Sequence, residues 1–368
     1  MTGSKTPMDS RVAVDGSSSV DGSSSVDGSA SVDGSGVVVE EFEVKLASDL
    51  EIAGKRWTPR GSSSGSPRRR RRVGLGVHGW CDSAASFDLL APELVGTGPP
   101  MLDEFVAIDL PGHGKSSWRS RDANYAHIDY LYDLQELVTE MGWVVPSPGE
   151  EGEGVGEEGV VAPDTDLTVV GHSMGASVSM LFAGSWPQAL DSLVLVEGLG
   201  PFSFRDEEAA DVSRSFLASR TKYLKGYSAP RVYDSLDEMV DRLSMSLVQS
   251  GDMDPIPKPA AEILVARAAI SSPDGSGFMW RSDPRLRMSA PWRFSETAVT
   301  SFLTSVQVPT LVIRGDRGWP FPSEIAESRL ASLARVVDVH LPGSHHLHLE
   351  IAPQIAHDHI LPHIAPPH

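Results

Sequence analysis

The sequence predicts an α/β fold: a mostly parallel sheet covered on both faces and interrupted by a helical insert. Three observations predict it. Short apolar runs recur along the 368-residue chain. Helical patterns, with apolar residues at three- and four-residue steps, separate several of these runs. Residues 200–305 break the alternation and carry helical stripes between Pro-rich turns. Runs that are apolar at nearly every position suit strands buried on both faces, and intervening helices suit βαβ units.

In chain order, residues 1–36 come before any such run. Val14, Val20, Val26 and Val32 each precede Asp-Gly-Ser at a spacing of six. A six-residue β-helix rung is conceivable. Each unit, however, offers one valine among Ser, Gly and Asp, too little apolar surface to offset the ordering entropy. The segment 1–36 is therefore expected to be a disordered low-complexity tail. Apolar runs at 37–46, 73–77, 105–110, 167–170, 193–196, 310–313 and 336–341 read as buried strands. Ile128, Leu131, Leu134, Leu137, Val138 and Met141 form one helical stripe, which Gly142 stops. Residues 174–186 form a second, followed by Pro187. Leu236, Met239, Val240, Leu243 and Leu247 form a third, inside the insert. The expected organisation is a core in two parts, 37–199 and 306–368, with 200–305 as a cap. Segments 59–72 and 146–165 are rich in Gly and Pro with one sign of charge, and read as flexible surface loops. Arg68 to Arg72 could form a polyanion or nuclear-localisation patch. A solvated loop leading into the next strand is the simpler reading.

Composition excludes several classes. Lys and Arg total 31 against 50 Asp and Glu, a formal net charge of −19. That balance argues against a general nucleic-acid binder, which needs clustered cations for phosphate contacts. The single cysteine, Cys81, can form neither an internal disulfide nor a Cys-based zinc site. No apolar run approaches the roughly 18 residues of a membrane span. The N-terminus shows no apolar secretory stretch, so a cytoplasmic location is expected.

The sharpest chemical signal is Gly171-His172-Ser173-Met174-Gly175, between the strand LTVV and a helix. That is the context of a nucleophile elbow. A serine held in a strained strand-to-helix turn needs neighbours without side chains, and Gly171 and Gly175 supply the room. His78-Gly79-Trp80 ends the strand VGLGV. Backbone N–H groups of Trp80 and of Met174, the residue after the serine, are the expected oxyanion donors. His78 reads as a brace for that loop. The stretch 109–116, DLPGHGKS, ends in GK[ST] but lacks phosphate-loop spacing, and reads as a tight turn beside the site. The base should be a histidine after the last strand. His345, preceded by Gly343-Ser344, is the choice, with His346 as its alternative. Two carboxylates at strand ends could orient the imidazole: Glu197 after LVLV and Asp316 after LVIRG. Both stay open.

In the order HGW, DLPGHGKS, GHSMG and late GSHH, residues 37–368 resemble the α/β-hydrolase superfamily. More narrowly, LVLVEGLGP at 193–201, DPRLRMSAPWRFSE at 283–296 and LPGSHHLHLE at 341–350 resemble the serine hydrolase-like proteins. The resemblance implies an eight-stranded, mostly parallel sheet flanked by helices with a helical cap, and Ser173 and His345 as nucleophile and base. The superfamily usually places the acid after LVIRG, often further into the loop than Asp316. Here that loop continues Arg317-Gly318-Trp319-Pro320 without a second carboxylate, and some capped relatives use the position of Glu197 instead.

The expected activity is cofactor-independent serine hydrolysis of a small-molecule acyl substrate, a carboxylic ester, with neither metal nor cofactor. Serine at the elbow argues against dehalogenase or epoxide hydrolase chemistry, which in this superfamily needs Asp there. C–C or thioester cleavage stays open. The alternative is a non-catalytic ligand receptor or scaffold on the same fold, which fits if neither carboxylate reaches His345. Phe278, Met279, Trp280, Trp292 and Phe294 in the cap suggest an apolar pocket wall.

Overall fold

A computed structural model describes residues 31–32, 36–61, 70–97, 101–146, 159–226, 230–246, 248 and 253–365. The Val-Asp-Gly-Ser repeat up to residue 30, residues 62–69 and 147–158 of the two loop segments, and Leu247 lie outside the described residues.

The main sheet is built from β1 (Val37–Lys45), β2 (Glu51–Pro59), β3 (Arg71–Val77), β4 (Glu104–Ile108), β5 (Thr165–His172), β6 (Ser192–Val196), β7 (Thr310–Arg317) and β8 (Val336–Ser344). Their order across the sheet is β1-β2-β4-β3-β5-β6-β7-β8, with Ser31–Val32 added at the outer edge of β1. The first two strands run antiparallel to each other and β2 antiparallel to β4; every pair from β4 to β8 is parallel. The eight-stranded, mostly parallel sheet expected from the resemblance is thus present.

Side chains alternate between two buried layers. Leu75, Leu193, Leu195 and Val312 face one cluster, together with helices α1 (His127–Glu140) and α2 (Met174–Ser185). Val170, Val194, Val196, Leu311 and Ile313 face the other, covered by Ala91–Leu94 and the C-terminal helical turns from Leu347 to Ile364. Burial on both faces explains the continuous apolar runs of the parallel strands. Strand β2 escapes that criterion because only part of Glu51–Pro59 faces inward, and its nine-residue register with β1 fixes it instead.

Two boundaries differ from expectation. Strand β3 begins at Arg71, inside the expected loop 59–72. Arg71 pairs with Glu104, Arg70 lies 2.6 Å from Asp166, and Arg72 donates to the Ile364 carbonyl. The end of the arginine tract therefore staples the sheet margin instead of forming a free cationic patch. Within 146–165, Val144–Pro146 and Gly159–Val161 pair as a small antiparallel hairpin.

The insert carries α3 (Ala209–Leu224), α4 (Leu236–Ser244) and α5 (Lys258–Ala268), then a hairpin of Ala269–Ser271 with Phe278–Trp280. Ser235 caps α4 by accepting from Glu238 N–H. Met239, Val240, Ile256, Leu264 and Val265 form a separate small core. Helix α6 (Glu296–Ser305) sends Val299 and Leu303 into the main core beneath α2. Helix α7 (Ser323–Ser332) follows β7. Among the described residues no helix is long and apolar enough to cross a membrane.

Candidate active site

The sheet branches at β3: β4 lies on one side of it and β5 on the other. Crevices at such branch points, beyond the strand C-termini, are where open α/β sheets bind ligands. Here β5 runs directly into α2 through Ser173, whose φ of 52° and ψ of −115° are a strained conformation for a residue with a side chain. The turn is crowded. A Cβ on Gly171 would lie 2.6 Å from Ala176 Cα, and one on Gly175 only 2.0 Å from the Val77 carbonyl oxygen. Ser173 itself is half-buried.

His345 arrives from the turn after β8. Its Nε2 lies 2.9 Å from Ser173 Oγ, and its Nδ1 lies 3.0 Å from Glu197 Oε2. A carboxylate only accepts, so Nδ1 carries the proton and Nε2 presents a lone pair to the hydroxyl. Glu197 follows directly on β6 at φ 54°. Its Oε1 accepts from Gly315 N–H and its Oε2 from Trp319 N–H at 2.8 Å. Burial would raise the Glu197 carboxyl, but the His345 hydrogen bond and charge, with these N–H groups, hold it below its ordinary value. Burial lowers the His345 imidazole, only partly opposed by Glu197, so the ring is neutral at neutral pH.

Asp316 is not brought to the imidazole. Its exposed carboxylate accepts from Gly343 N–H at 2.9 Å, bracing the turn that delivers His345. Register explains this: Glu197 N–H pairs with the Ile313 carbonyl, which puts Glu197 beside the β7 loop, whereas Asp316 faces the end of β8. His346, the alternative base, turns to Asp82, with Nε2 3.2 Å from Oδ2. Residues 75–356 match a family model described as "Alpha/beta hydrolase family".

The chain belongs to the alpha/beta hydrolase family. It is 26% identical over 302 residues to a "Probable serine hydrolase" of Drosophila melanogaster, covering 80% of each chain. It is 25% identical over 324 residues to a serine hydrolase-like protein of Dictyostelium discoideum, covering 84% of this chain and 78% of that one. Among solved structures, a hypothetical protein of Pseudomonas aeruginosa superposes with a TM-score of 0.67 at 29% identity, over 86% of this chain and 96% of the other.

Within this hydrolase fold, Met174 N–H stands at the first position of α2, where no intrahelical acceptor exists. Trp80 follows in the turn after β3, its half-exposed indole donating to the Leu286 carbonyl at 3.0 Å. His78 braces this loop: Leu110 N–H donates to its Nε2 at 3.0 Å, leaving Nδ1–H for the Gly79 carbonyl at 2.7 Å. In the 109–116 turn, the buried Asp109 accepts from Ala84 and Lys115 N–H at 2.7 and 2.8 Å. It also pairs with Arg267 of α5 at 2.8 Å. The Asp109 carboxylate thus takes the Lys115 N–H of this turn.

The aromatics of the insert divide. Trp280 donates to Tyr233 OH at 3.2 Å, and Trp280 and Phe278 pack on the small core of the insert, which Leu349 also joins. Phe294 joins the main core, and Trp292 is exposed against Phe204. The aromatic beside the imidazole is one the sequence reading passed over: Trp319, 5.7 Å from the His345 ring and 5.2 Å from Phe202. A 360 Å³ cavity lies behind Glu197, lined by the β7 loop, and neither Ser173 nor His345 lines it. Sequence reading also missed Asp82, which His346 and His172 approach from two sides. Burial would raise its carboxyl, but these two rings hold it well below the usual range.

Proposed function

We propose that this hydrolase-family protein is a serine hydrolase of carboxylic esters, with Ser173 as nucleophile, His345 as base and Glu197 as the orienting acid. The single observation that carries the reading is the unbroken hydrogen-bond chain from Glu197 through His345 to Ser173 Oγ. His345 Nε2 takes the Ser173 proton as Oγ attacks the ester carbonyl. Glu197 stabilises the imidazolium that forms and keeps its proton on Nδ1. Backbone N–H groups of Met174 and Trp80 receive the developing oxyanion, each donor worth about 3–4 kcal/mol in the transition state. The imidazolium then protonates the departing alkoxide. Water attacks the acyl-enzyme with His345 again as base, and the acid leaves as Ser173 is restored.

A fluorophosphonate probe, together with a panel of acyl esters of varied chain length, tests this. The wild type should label with one equivalent and hydrolyse some ester, while Ser173→Ala should do neither and keep its fold. A well-folded wild type that resists labelling sinks the enzymatic reading and leaves the ligand receptor on the same scaffold.

A further inference from the structure

Beside the His345 backbone lies a second cluster of buried polar groups: Asp82 from the loop after β3, His172 at the end of β5, and His346. The proposed ester chemistry uses none of their side chains to touch substrate. His172 Nε2 lies 2.8 Å from the His345 carbonyl oxygen. A carbonyl only accepts, so Nε2 carries the proton. Its Nδ1 then faces Asp82 Oδ2 at 3.5 Å and has no hydrogen-bond partner among the described residues. In the neutral ring that nitrogen is a bare lone pair against a carboxylate oxygen, a repulsive contact in a ring only 1% exposed, which a proton or a cation shared between the two would relieve. A third donor converges on the same point: His346 Nε2, 3.2 Å from the same Oδ2. One donor atom from each of the three residues lies within 4.8 Å of the others.

We propose that Asp82, His172 and His346 form a binding site for a divalent transition-metal ion, with zinc as the reference ion. Three features of the geometry argue for it. A tetrahedral ion with bonds of about 2.0–2.1 Å sets its donors roughly 3.3 Å apart. Two of the three donor separations are 3.2 and 3.5 Å. The His172 ring donates its remote N–H to a backbone carbonyl, the outer contact that orients metal-bound imidazoles. Two imidazoles and one carboxylate suit zinc, cobalt or nickel, whereas magnesium and calcium want an all-oxygen shell. His172 holds the His345 carbonyl and His346 follows it in the chain, so occupancy would fix the backbone that presents the imidazole.

The test uses the full chain, expressed with Zn²⁺ or Co²⁺ in the medium and dialysed, with metal read by elemental analysis. It does not depend on finding a substrate. One equivalent is expected, together with visible Co²⁺ bands. Asp82→Asn and His346→Gln should each lower retention at least tenfold. Wild type that retains no metal overturns the site, and so does an equivalent kept unchanged in both variants, which would belong to surface histidines. Should the variants not fold, X-ray absorption of the wild-type zinc form decides: two imidazoles plus oxygen support the site, and a shell with sulfur or fewer than two imidazoles overturns it.

Discussion

Glu197 can reach His345 because two neighbouring positions carry no side chain. A Cβ on Gly318 would lie 2.1 Å from Glu197 Oε2, and one on Gly198 would lie 2.6 Å from the Ser173 carbonyl oxygen. The carboxylate therefore sits in a pocket of backbone, held by Gly315 and Trp319 N–H, while Asp316 looks outward to Gly343. Glu197→Gln should lower kcat by about 10⁴, as loss of the orienting acid does elsewhere. Asp316→Asn should leave kcat within a few fold. Steady-state kinetics on one ester compare them, and the reverse ranking would transfer the acid's role to Asp316. The imidazole adds a pH signature. Its pKa is lowered by burial, and the neutral ring is the working form, so activity is lost only as pH falls through that lowered value. The acid limb of kcat/KM should therefore have its midpoint below 6.5, the ordinary histidine value. A midpoint above 7 would contradict a neutral His345 base.

At the scale of elements, helix α5 is tied to the sheet by charge. Arg267 bridges Asp109 at the end of β4 and Glu41 of β1, with both Arg267 and Asp109 buried. Burial would raise the Asp109 carboxyl, but Arg267 outweighs it and holds it below its ordinary value. Its contribution to stability is thus present above the unfolded carboxyl pKa and is lost as pH falls through the lowered folded value. Removing one partner leaves the other as an uncompensated buried charge, so Arg267→Ala should cost about 3–5 kcal/mol. Urea unfolding at neutral pH measures this. A loss under 1 kcal/mol would mean that water reaches Asp109 and the pair is not sealed. In sequence Arg267 is one basic residue near the end of a largely apolar helix, and nothing local names its partners. Its partners lie 158 and 226 positions away.

Across the whole molecule, a short turn after the insert's hairpin adds a second buried anchor to the one that Arg267 makes. Asp283 and Arg285 form a buried pair. Tyr125 OH donates to Asp283 at 2.8 Å, and Arg285 donates to the carbonyls of Arg119, Ser120 and Ala123. Leu286 takes the indole of Trp80. Arg285→Ala should free this turn, raising KM for the preferred ester more than it lowers kcat and hastening proteolysis of the insert. Unchanged KM and cleavage rates would show that the insert is held elsewhere. The stretch 283–296 stands out in the sequence only as a resemblance; the buried pair supplies a physical reason for it. The sequence alone determined the doubly covered sheet, because strands buried on both faces must be apolar throughout. It also determined the serine elbow, because that turn admits only glycine at Gly171 and Gly175. Both are local demands, written in adjacent residues. Tertiary structure alone put Glu197, and not Asp316, beside His345, and gathered Asp82, His172 and His346 into one cluster. Those outcomes depend on strand register and on chain segments far apart, where a hydrogen bond of about 3 Å is set by packing and leaves no trace in the neighbouring sequence.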